Sequence, residues 1–193
     1  MEDDGVALGA DGVPRCAWAL SAPDYVAYHD DEWGRPVHGE AALYERLTLE
    51  AFQSGLSWLT ILRKRPAFRA AFAGFDPEVV AAFGPADRER LMADAGIVRN
   101  ARKVDAAIAN AAAVVRLRDE GGLDALLWSF APVDHARPQR WADVPATTPG
   151  SVALARALKA HGLVFVGPTT AYAAMQACGL VDDHLAGCHR AVA

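Results

Sequence analysis

Residues 91–117 of the chain read LMADAGIVRNARKVDAAIANAAAVVRL. The first three residues continue a short helix, and Gly96 then allows a tight turn at Asp94–Gly96. An alanine-rich stretch follows, and its apolar residues recur at the spacing of one helical face: Val104, Ile108, Ala111 and Val115. This pattern predicts a long helix that crosses the core and is entered through a sharp turn.

Most of the remaining chain also has helical periodicity, which predicts an all-α fold. Helices are expected at 39–54, 57–72, 123–130 and 150–160, with shorter ones starting at Asp76–Pro77 and Pro85–Asp87. Residues 131–150 contain four prolines and predict a surface loop, while the extended run Leu163–Val166 is too isolated to form a sheet.

Composition predicts one domain over residues 15–193, preceded by a mobile tail at 1–14 that lacks apolar periodicity. No window approaches the roughly 18 consecutive apolar residues of a membrane span, and the acidic start is unlike a signal peptide. Three cysteines argue against a disulfide scaffold, so we expect a reducing, cytoplasmic setting and no membrane partner. Because the net charge is −5, any contact with nucleic acid requires a local basic patch.

Four side chains of the types that bind zinc lie near opposite ends of the chain: Cys16, His29, His184 and Cys188. The last two are four residues apart, so a helix or tight turn places both on one face. The first two are thirteen apart, which matches no zinc-finger spacing. Spacing alone therefore leaves two interpretations open. One is a zinc site that joins the two ends of the chain, and the other is a buried structural cysteine with scattered histidines that bind no metal. The third cysteine, Cys178, is in an apolar stretch and is predicted to be a core residue.

Glu50 falls on the apolar stripe of the predicted helix 39–54, in line with Leu43, Leu47 and Ser54. A carboxylate there is costly unless it pairs with an arginine or faces a pocket. Gln53, Ser54, Leu56 and Trp58 follow it, and aromatic residues are concentrated upstream at Trp18, Tyr25, Tyr28 and Trp33. An acid, an amide and several aromatic faces are the groups that a pocket for a flat cationic ring requires.

The turn at Gly96 is flanked by Arg99, Arg102 and Lys103. Free backbone N–H groups at the start of the next helix, together with these cations, would bind a phosphate. A glycine turn with basic neighbours is also typical of an ordinary solvated corner, and the same alternative applies to the basic cluster Arg63–Arg65.

Several ordered segments resemble the type I, constitutive 3-methyladenine DNA glycosylases of bacteria. They are Arg15–Trp18, Tyr25–Gly34, Leu49–Glu50 with Gly55–Trp58, and Phe165–Thr169 with Gln176–Leu180. The match keeps the family's order from about Arg15 to Cys188. It implies a helix-hairpin-helix enzyme that flips N3-methyladenine out of alkylated double-stranded DNA and hydrolyses its N-glycosidic bond. The products would be free 3-methyladenine, as a ligand of the pocket, and an abasic site.

The resemblance also implies roles for individual residues. One Zn²⁺ would be held by Cys16, His29, His184 and Cys188, and four protein ligands make such a zinc structural. Glu50 would be the catalytic residue, and its side chain would accept a hydrogen bond from the exocyclic amine of the base. Tyr28 and Trp58 would stack on the base, between walls formed by Trp18 and Tyr25.

For DNA contacts, the resemblance implies that Leu56 fills the gap left by the flipped nucleotide. The hairpin around Gly96 would bind the DNA backbone with Arg99, Arg102 and Lys103. No lysine is placed as a Schiff-base nucleophile, so no strand cleavage is expected. Asp105, the acid nearest the hairpin, is expected to be exposed and receives no catalytic role. A monomer is the natural expectation for an enzyme that scans a duplex.

Two departures from the family pattern lie near the proposed metal. Asp182 stands where the family commonly has Asn, and His189 is a further possible ligand. Two other functions remain open from the sequence. A protein that binds damaged bases without hydrolysis would have Glu50 paired with an arginine, and a zinc hydrolase would need an open coordination position.

Overall fold

The computed structural model describes residues 5–191, and this part of the chain is mostly helical. The helices are α1 (Pro23–Asp31), α2 (Glu40–Gln53), α3 (Trp58–Ala71), α4 (Pro77–Ala81), α5 (Pro85–Ala93), α6 (Ala101–Leu117), α7 (Gly122–Trp128), α8 (Pro149–Ala160) and α9 (Pro168–Ala177). Short 3-10 segments lie at Ala17–Ser21, Ala73–Phe75, Arg118–Glu120, Trp141–Asp143 and His189–Ala191. The helices predicted at 39–54, 57–72 and 150–160 are confirmed to within two residues at each end. In the described residues, no helix combines the length and apolar character needed to cross a membrane.

Helix α2 lies at the centre of the fold, where it packs against α3, α6, α7 and α9. Its residues Leu43, Leu47 and Phe52 are fully or almost fully buried. Helix α6 buries Val104, Ala107, Ala111 and Val114, whereas the predicted stripe members Ile108 and Val115 are only half-buried. The buried face of α6 is thus rotated slightly from the predicted one, because small alanines allow closer helix packing than the larger side chains beside them.

The described part of the N-terminal segment is a β-hairpin, so the prediction of a mobile tail is wrong for residues 5–14. Strands β1 (Val6–Leu8) and β2 (Pro14–Cys16) pair antiparallel, with Val6 opposite Cys16. The buried guanidinium of Arg15 binds both Asp11 and Asp30, which anchors the hairpin to α1. Strands of three residues are too short to give a periodic sequence signal. Residues 1–4 of the predicted tail lie outside the described residues.

The run at 163–166 does not form a strand. Phe165 has a left-handed backbone φ of +63°, which interrupts the extended conformation in the middle of the run. The surface loop predicted at 131–150 is confirmed as irregular up to residue 148, apart from the 3-10 turn at Trp141–Asp143, and α8 begins at Pro149.

Lys103 is buried, and its ammonium group binds backbone oxygens inside the protein instead of facing solvent. Its Nζ donates to the carbonyl oxygens of Phe52 (2.9 Å) and Ser54 (2.6 Å), at the C-terminal end of α2. These carbonyls are among those that a helix end leaves without a partner, and a cation there also interacts favourably with the helix dipole. Lys103 is therefore removed from the predicted set of phosphate contacts, because its side chain points inward. Burial lowers the pKa of its ammonium group.

Replacing Lys103 with Met should destabilise the protein. The variant keeps the aliphatic stem but leaves two carbonyl groups at the end of α2 without their donor, so we expect the free energy of unfolding to fall by about 1–3 kcal/mol. Urea denaturation measures this change. Arg102→Ala is the matched control, because Arg102 is exposed, and it should unfold like the parent protein. Equal stability of all three proteins would contradict the capping role.

Candidate active site

A cavity of about 270 Å³ opens where α1, α2, α3 and α9 meet. Its walls combine aromatic rings with one acid and two amides. The lining residues are Trp18, Tyr25, Tyr28, Trp33, Glu50, Gln53, Trp58, Trp141, Ala173 and Gln176. The structure thus brings together every residue predicted for the base pocket.

Glu50 lies in the wall of this cavity and is only 6% exposed. Burial raises the pKa of its carboxyl group to about 8, and the nearby charge of Arg46 opposes only part of that shift. Among the described residues, Glu50 has no hydrogen-bond or ion-pair partner. Arg46 instead donates to Glu32, which also binds Arg65. The alternative in which Glu50 is neutralised by an arginine in the core is therefore wrong.

The aromatic walls are held in fixed orientations. The rings of Tyr28 and Trp58 lie 5.4 Å apart at 48°, and Trp18 packs edge-on against both Tyr25 (5.6 Å) and Trp33 (5.1 Å). The hydroxyl of Tyr25 accepts a hydrogen bond from the backbone N–H of Leu59, which ties α1 to the first turn of α3. The indole N–H groups of Trp18 and Trp58 are buried without a partner in the described structure, so the walls also carry two unused donors.

Two of the polar or aromatic lining residues, Gln176 and Trp141, have no role in the sequence-based prediction. The side-chain Nε2 of Gln176 donates to Asp183, and the side-chain Oε1 of Gln176 has no partner among the described residues. Gln176 belongs to one of the segments that resemble the family, so the sequence could have indicated it as a pocket residue. Trp141 lies in the proline-rich loop, where no periodicity relates it to the other pocket residues.

A second cavity of about 220 Å³ continues from the pocket along the surface and shares Glu50, Gln53 and Ala173 with it. One side is formed by Ser54, Gly55 and Leu56 in the turn between α2 and α3, and the other by Thr169 and Thr170 at the start of α9. Leu56 is 41% exposed at its edge. We call this feature the entry groove.

The hairpin between α5 and α6 is braced from α3. Lys64 donates to the carbonyl oxygens of Ala95 and Gly96, and the side chain of Asp94 accepts from the N–H of Gly96. Lys64 is therefore structural, as are its neighbours in the basic cluster 63–65, which pair with Asp24 and Glu32.

Arg99 and Arg102 are exposed beside this hairpin. Neither has a polar partner within residues 5–191, so both cations are available to a ligand. The structure thus separates the predicted basic set into two free arginines and the buried Lys103. Asp105 is exposed and paired with Arg88, as expected for an acid outside the site.

The candidate zinc ligands converge from both ends of the chain. The ligand atoms of Cys16, His29 and Cys188 all lie within 4.8 Å of one another. The ring of His184 lies edge-on to that of His29, 4.7 Å away between centroids. All four residues are at most 4% exposed.

The two histidines are oriented by acids. Nδ1 of His29 is hydrogen-bonded with Asp30, and Nδ1 of His184 with Asp182. Nε2 of His29 lies 3.4 Å from the Sγ of Cys188, whereas Nε2 of His184 lies 3.4 Å from the backbone carbonyl oxygen of His29. Asp182 also pairs with Arg137, so its extra charge is compensated. His189 contacts Asp30 rather than the thiols. Cys178 is fully buried in the main core, as predicted.

Comparisons with known proteins agree with this geometry. Residues 18–191 match the family described as methyladenine glycosylase. The chain is 46% identical over 183 residues to DNA-3-methyladenine glycosylase 1 of Escherichia coli (strain K12), covering 91% of this chain and 96% of that protein. It is 41% identical over 178 residues to the DNA-3-methyladenine glycosylase of Haemophilus influenzae (strain ATCC 51907 / DSM 11121 / KW20 / Rd), covering 90% and 96%.

Solved structures give the same result. The crystal structure of a 3-methyladenine DNA glycosylase I matches with a TM-score of 0.87 at 44% identity, covering 91% of this chain and 98% of that one. A structure that describes 3-methyladenine recognition by the Staphylococcus aureus enzyme matches with a TM-score of 0.86 at 34% identity, covering 91% and 95%.

Replacing Glu50 with Gln should change how stability depends on pH. The carboxyl pKa is about 4.5 as a free group and about 8 in the folded protein, so its contribution to stability is present below about pH 4.5 and is lost as pH rises towards 8. The variant lacks this loss, so its stability relative to the parent should rise by about 2–4 kcal/mol between pH 5 and 8. Thermal and urea unfolding at several pH values test this, with the exposed Glu89→Gln as control. Parallel pH profiles of parent and Glu50→Gln would contradict it.

Proposed function

The chain belongs to the methyladenine glycosylase family, and on that basis we propose that it is a DNA repair enzyme that excises N3-methyladenine from alkylated double-stranded DNA. It flips the damaged nucleotide into the aromatic pocket and hydrolyses its N-glycosidic bond. Free 3-methyladenine is released and an abasic site remains, without strand cleavage. The observation that carries the proposal is the buried carboxyl group of Glu50, which has no partner among the described residues and lies between aromatic walls.

Recognition follows from the charge of the lesion. Methylation at N3 makes the base in DNA cationic, and electron-rich aromatic faces such as those of Tyr28 and Trp58 attract a cation by about 0.5–2 kcal/mol each. The cation also favours the ionised form of Glu50, so its arrival lowers the raised pKa of that group. The carboxylate then accepts from the exocyclic amine of the base. Neutral adenine gains neither attraction, so the pocket selects the damaged base.

Hydrolysis needs little additional help from side chains. The glycosidic bond is weakened because the departing base is already positively charged, and water attacks the sugar carbon once the nucleotide is held outside the duplex. An ionised Glu50 would also favour the positive charge that builds up on the sugar as the bond breaks. Holding and orienting the lesion is therefore the main work of the pocket.

The contacts to DNA come from the rim of the pocket. Leu56 stands at the entry groove, where it would fill the space left by the flipped nucleotide. Arg99 and Arg102 would bind phosphates beside the hairpin, whose turn brings the N-terminal end of α6 to the same surface. We infer that α5, α6 and the turn between them form a helix-hairpin-helix motif, and that the protein acts as a monomer.

Excision is tested by treating DNA with a methylating agent and identifying the bases that the purified protein releases. We expect free 3-methyladenine from the parent protein and at least a tenfold lower rate from Glu50→Gln, as is usual when a charged partner of the reacting group is lost. Asp105→Asn is the control for an acid beyond the hairpin and should excise normally. A folded parent protein that releases no 3-methyladenine would exclude the function, and a fully active Glu50→Gln would exclude its role.

The four buried side chains at the chain ends fit a structural zinc ion. Two thiols and two imidazoles are a ligand set typical of zinc, and Asp30 and Asp182 each bind the Nδ1 of one imidazole, so that Nε2 would be the ligand atom of each ring. We propose that Cys16, His29, Cys188 and His184 hold one ion and so join the N-terminal hairpin to the C-terminal segment. Their burial leaves no path for a substrate, which argues against a zinc hydrolase.

Metal content and thermal stability test this site. Cys188→Ser should lose the bound zinc and melt at a lower temperature, whereas the core variant Cys178→Ala should keep one zinc per chain. A strong chelator should lower the melting temperature of the parent and of Cys178→Ala but leave that of Cys188→Ser unchanged. A parent protein that melts at the same temperature with and without zinc would contradict the proposed role.

A further inference from the structure

Phe165 combines two features that the fold does not explain. It is 37% exposed, and its backbone φ of +63° lies in the left-handed region, which is unfavourable for a bulky side chain. Phe75 has a similar φ of +60°, but it is fully buried in the main core, where packing compensates for its backbone. Phe165 is not among the residues that form this core or pack against it, and exposed strain of this kind is found at functional sites.

The loop that carries Phe165 is nevertheless held rigidly. Asn110 of α6 is 3% exposed, and its side-chain amide bonds both backbone groups of Val164, donating to the carbonyl oxygen at 3.0 Å and accepting from the N–H at 2.7 Å. Val164 is itself 46% exposed. The fold therefore fixes an apolar tip, formed by Val164 and Phe165, in a position where it contacts solvent.

Helix α6 fixes this tip relative to Leu56. Lys103 binds the carbonyl of Ser54 in the turn before Leu56, and Asn110 binds Val164 before Phe165. Positions seven apart lie on the same helical face and about 10 Å apart along the axis. One face of one helix thus holds two loops, and each loop presents an exposed apolar residue.

The entry groove runs between these two loops. Leu56 belongs to one of its walls, and the other wall begins at Thr169, four residues after Phe165. Residues 162–181 contain no Asp, Glu, Lys or Arg, so this wall carries no negative charge that would repel a DNA strand. The free cations Arg99 and Arg102 lie at the N-terminal end of the same α6.

We propose that Phe165 is a second DNA-inserting residue, which stacks on a base next to the flipped nucleotide while Leu56 fills the vacated position. This inference rests on the proposed function and specifies how the duplex is held. Aromatic side chains stack on any exposed base, and apolar wedges are commonly used to unstack a base step. An exposed tip held in a strained but fixed conformation is suited to insertion, since little ordering remains to be done when DNA binds.

The test uses a duplex that contains a stable abasic analogue, with 2-aminopurine beside it. Phe165→Gly should bind this duplex about tenfold more weakly, because base–aromatic stacking is lost, and should lack the rise in 2-aminopurine fluorescence seen with the parent. Its affinity for free 3-methyladenine should be unchanged. Its melting temperature should equal or exceed that of the parent, since glycine adopts positive φ without strain. Phe165→Leu should lose less affinity than Phe165→Gly.

Two controls separate insertion from other effects. Val79→Ser removes a similarly exposed apolar residue (45% against 37%) on α4, near the opposite end of α6, and should bind the duplex normally. Arg102→Ala should reduce the slope of log affinity against log salt concentration by the amount expected for about one phosphate contact. Phe165→Gly should leave that slope unchanged.

The proposal is overturned if Phe165→Gly binds the abasic duplex as tightly as the parent, or if its loss of affinity accompanies equal losses in melting temperature and in binding of the free base. Failure of the proposed function has a different signature. In that case the parent would release no 3-methyladenine from methylated DNA, while Phe165→Gly would still lose affinity for the abasic duplex and the inserted contact would stand.

Discussion

The desolvated carboxylate of Glu50 is the constraint on which the rest of the structure depends. Removing a carboxylate from water without giving it a hydrogen bond or an ion pair is costly, and the raised pKa of about 8 records that cost. Helix α2 can carry such a residue because it is packed on several sides and its C-terminal end is capped by Lys103. The packing of the surrounding core therefore offsets the stability that the fold loses by burying this acid.

Residues near both ends of the described chain pack against the outer side of the pocket walls. Trp18 packs edge-on against His29 at 5.3 Å, and Trp33 against His184 at 4.7 Å. Two walls of the pocket thus rest directly on two of the proposed zinc ligands. The hairpin β1–β2 brings Cys16 to this position from the N-terminal side. A structural metal at this point would act on the pocket through ring orientation, while the proposed reaction would depend on Glu50 and the aromatic faces.

Patterns that one element contains by itself were predictable from the sequence. The long helices follow from apolar periodicity, and Glu50 could be recognised because an acid interrupts the stripe of Leu43 and Leu47. Features that depend on packing between elements were not predictable. The charge of Lys103 does not reveal that its side chain turns towards the end of α2, and the sequence near Trp141 does not show that its loop reaches the pocket.

Three locally unfavourable features surround the entry groove, and their positions are related. Glu50 is a buried acid without a partner, Lys103 is a buried cation, and Phe165 is a strained exposed ring. Sequence-level rules fail most often at functional sites, where a fold accepts local cost for binding or catalysis. Because α6 holds both the turn before Leu56 and the loop before Phe165, the spacing of the two apolar tips is set by a rigid helix. The proposed insertion of both tips would therefore need little reordering of the protein when DNA binds.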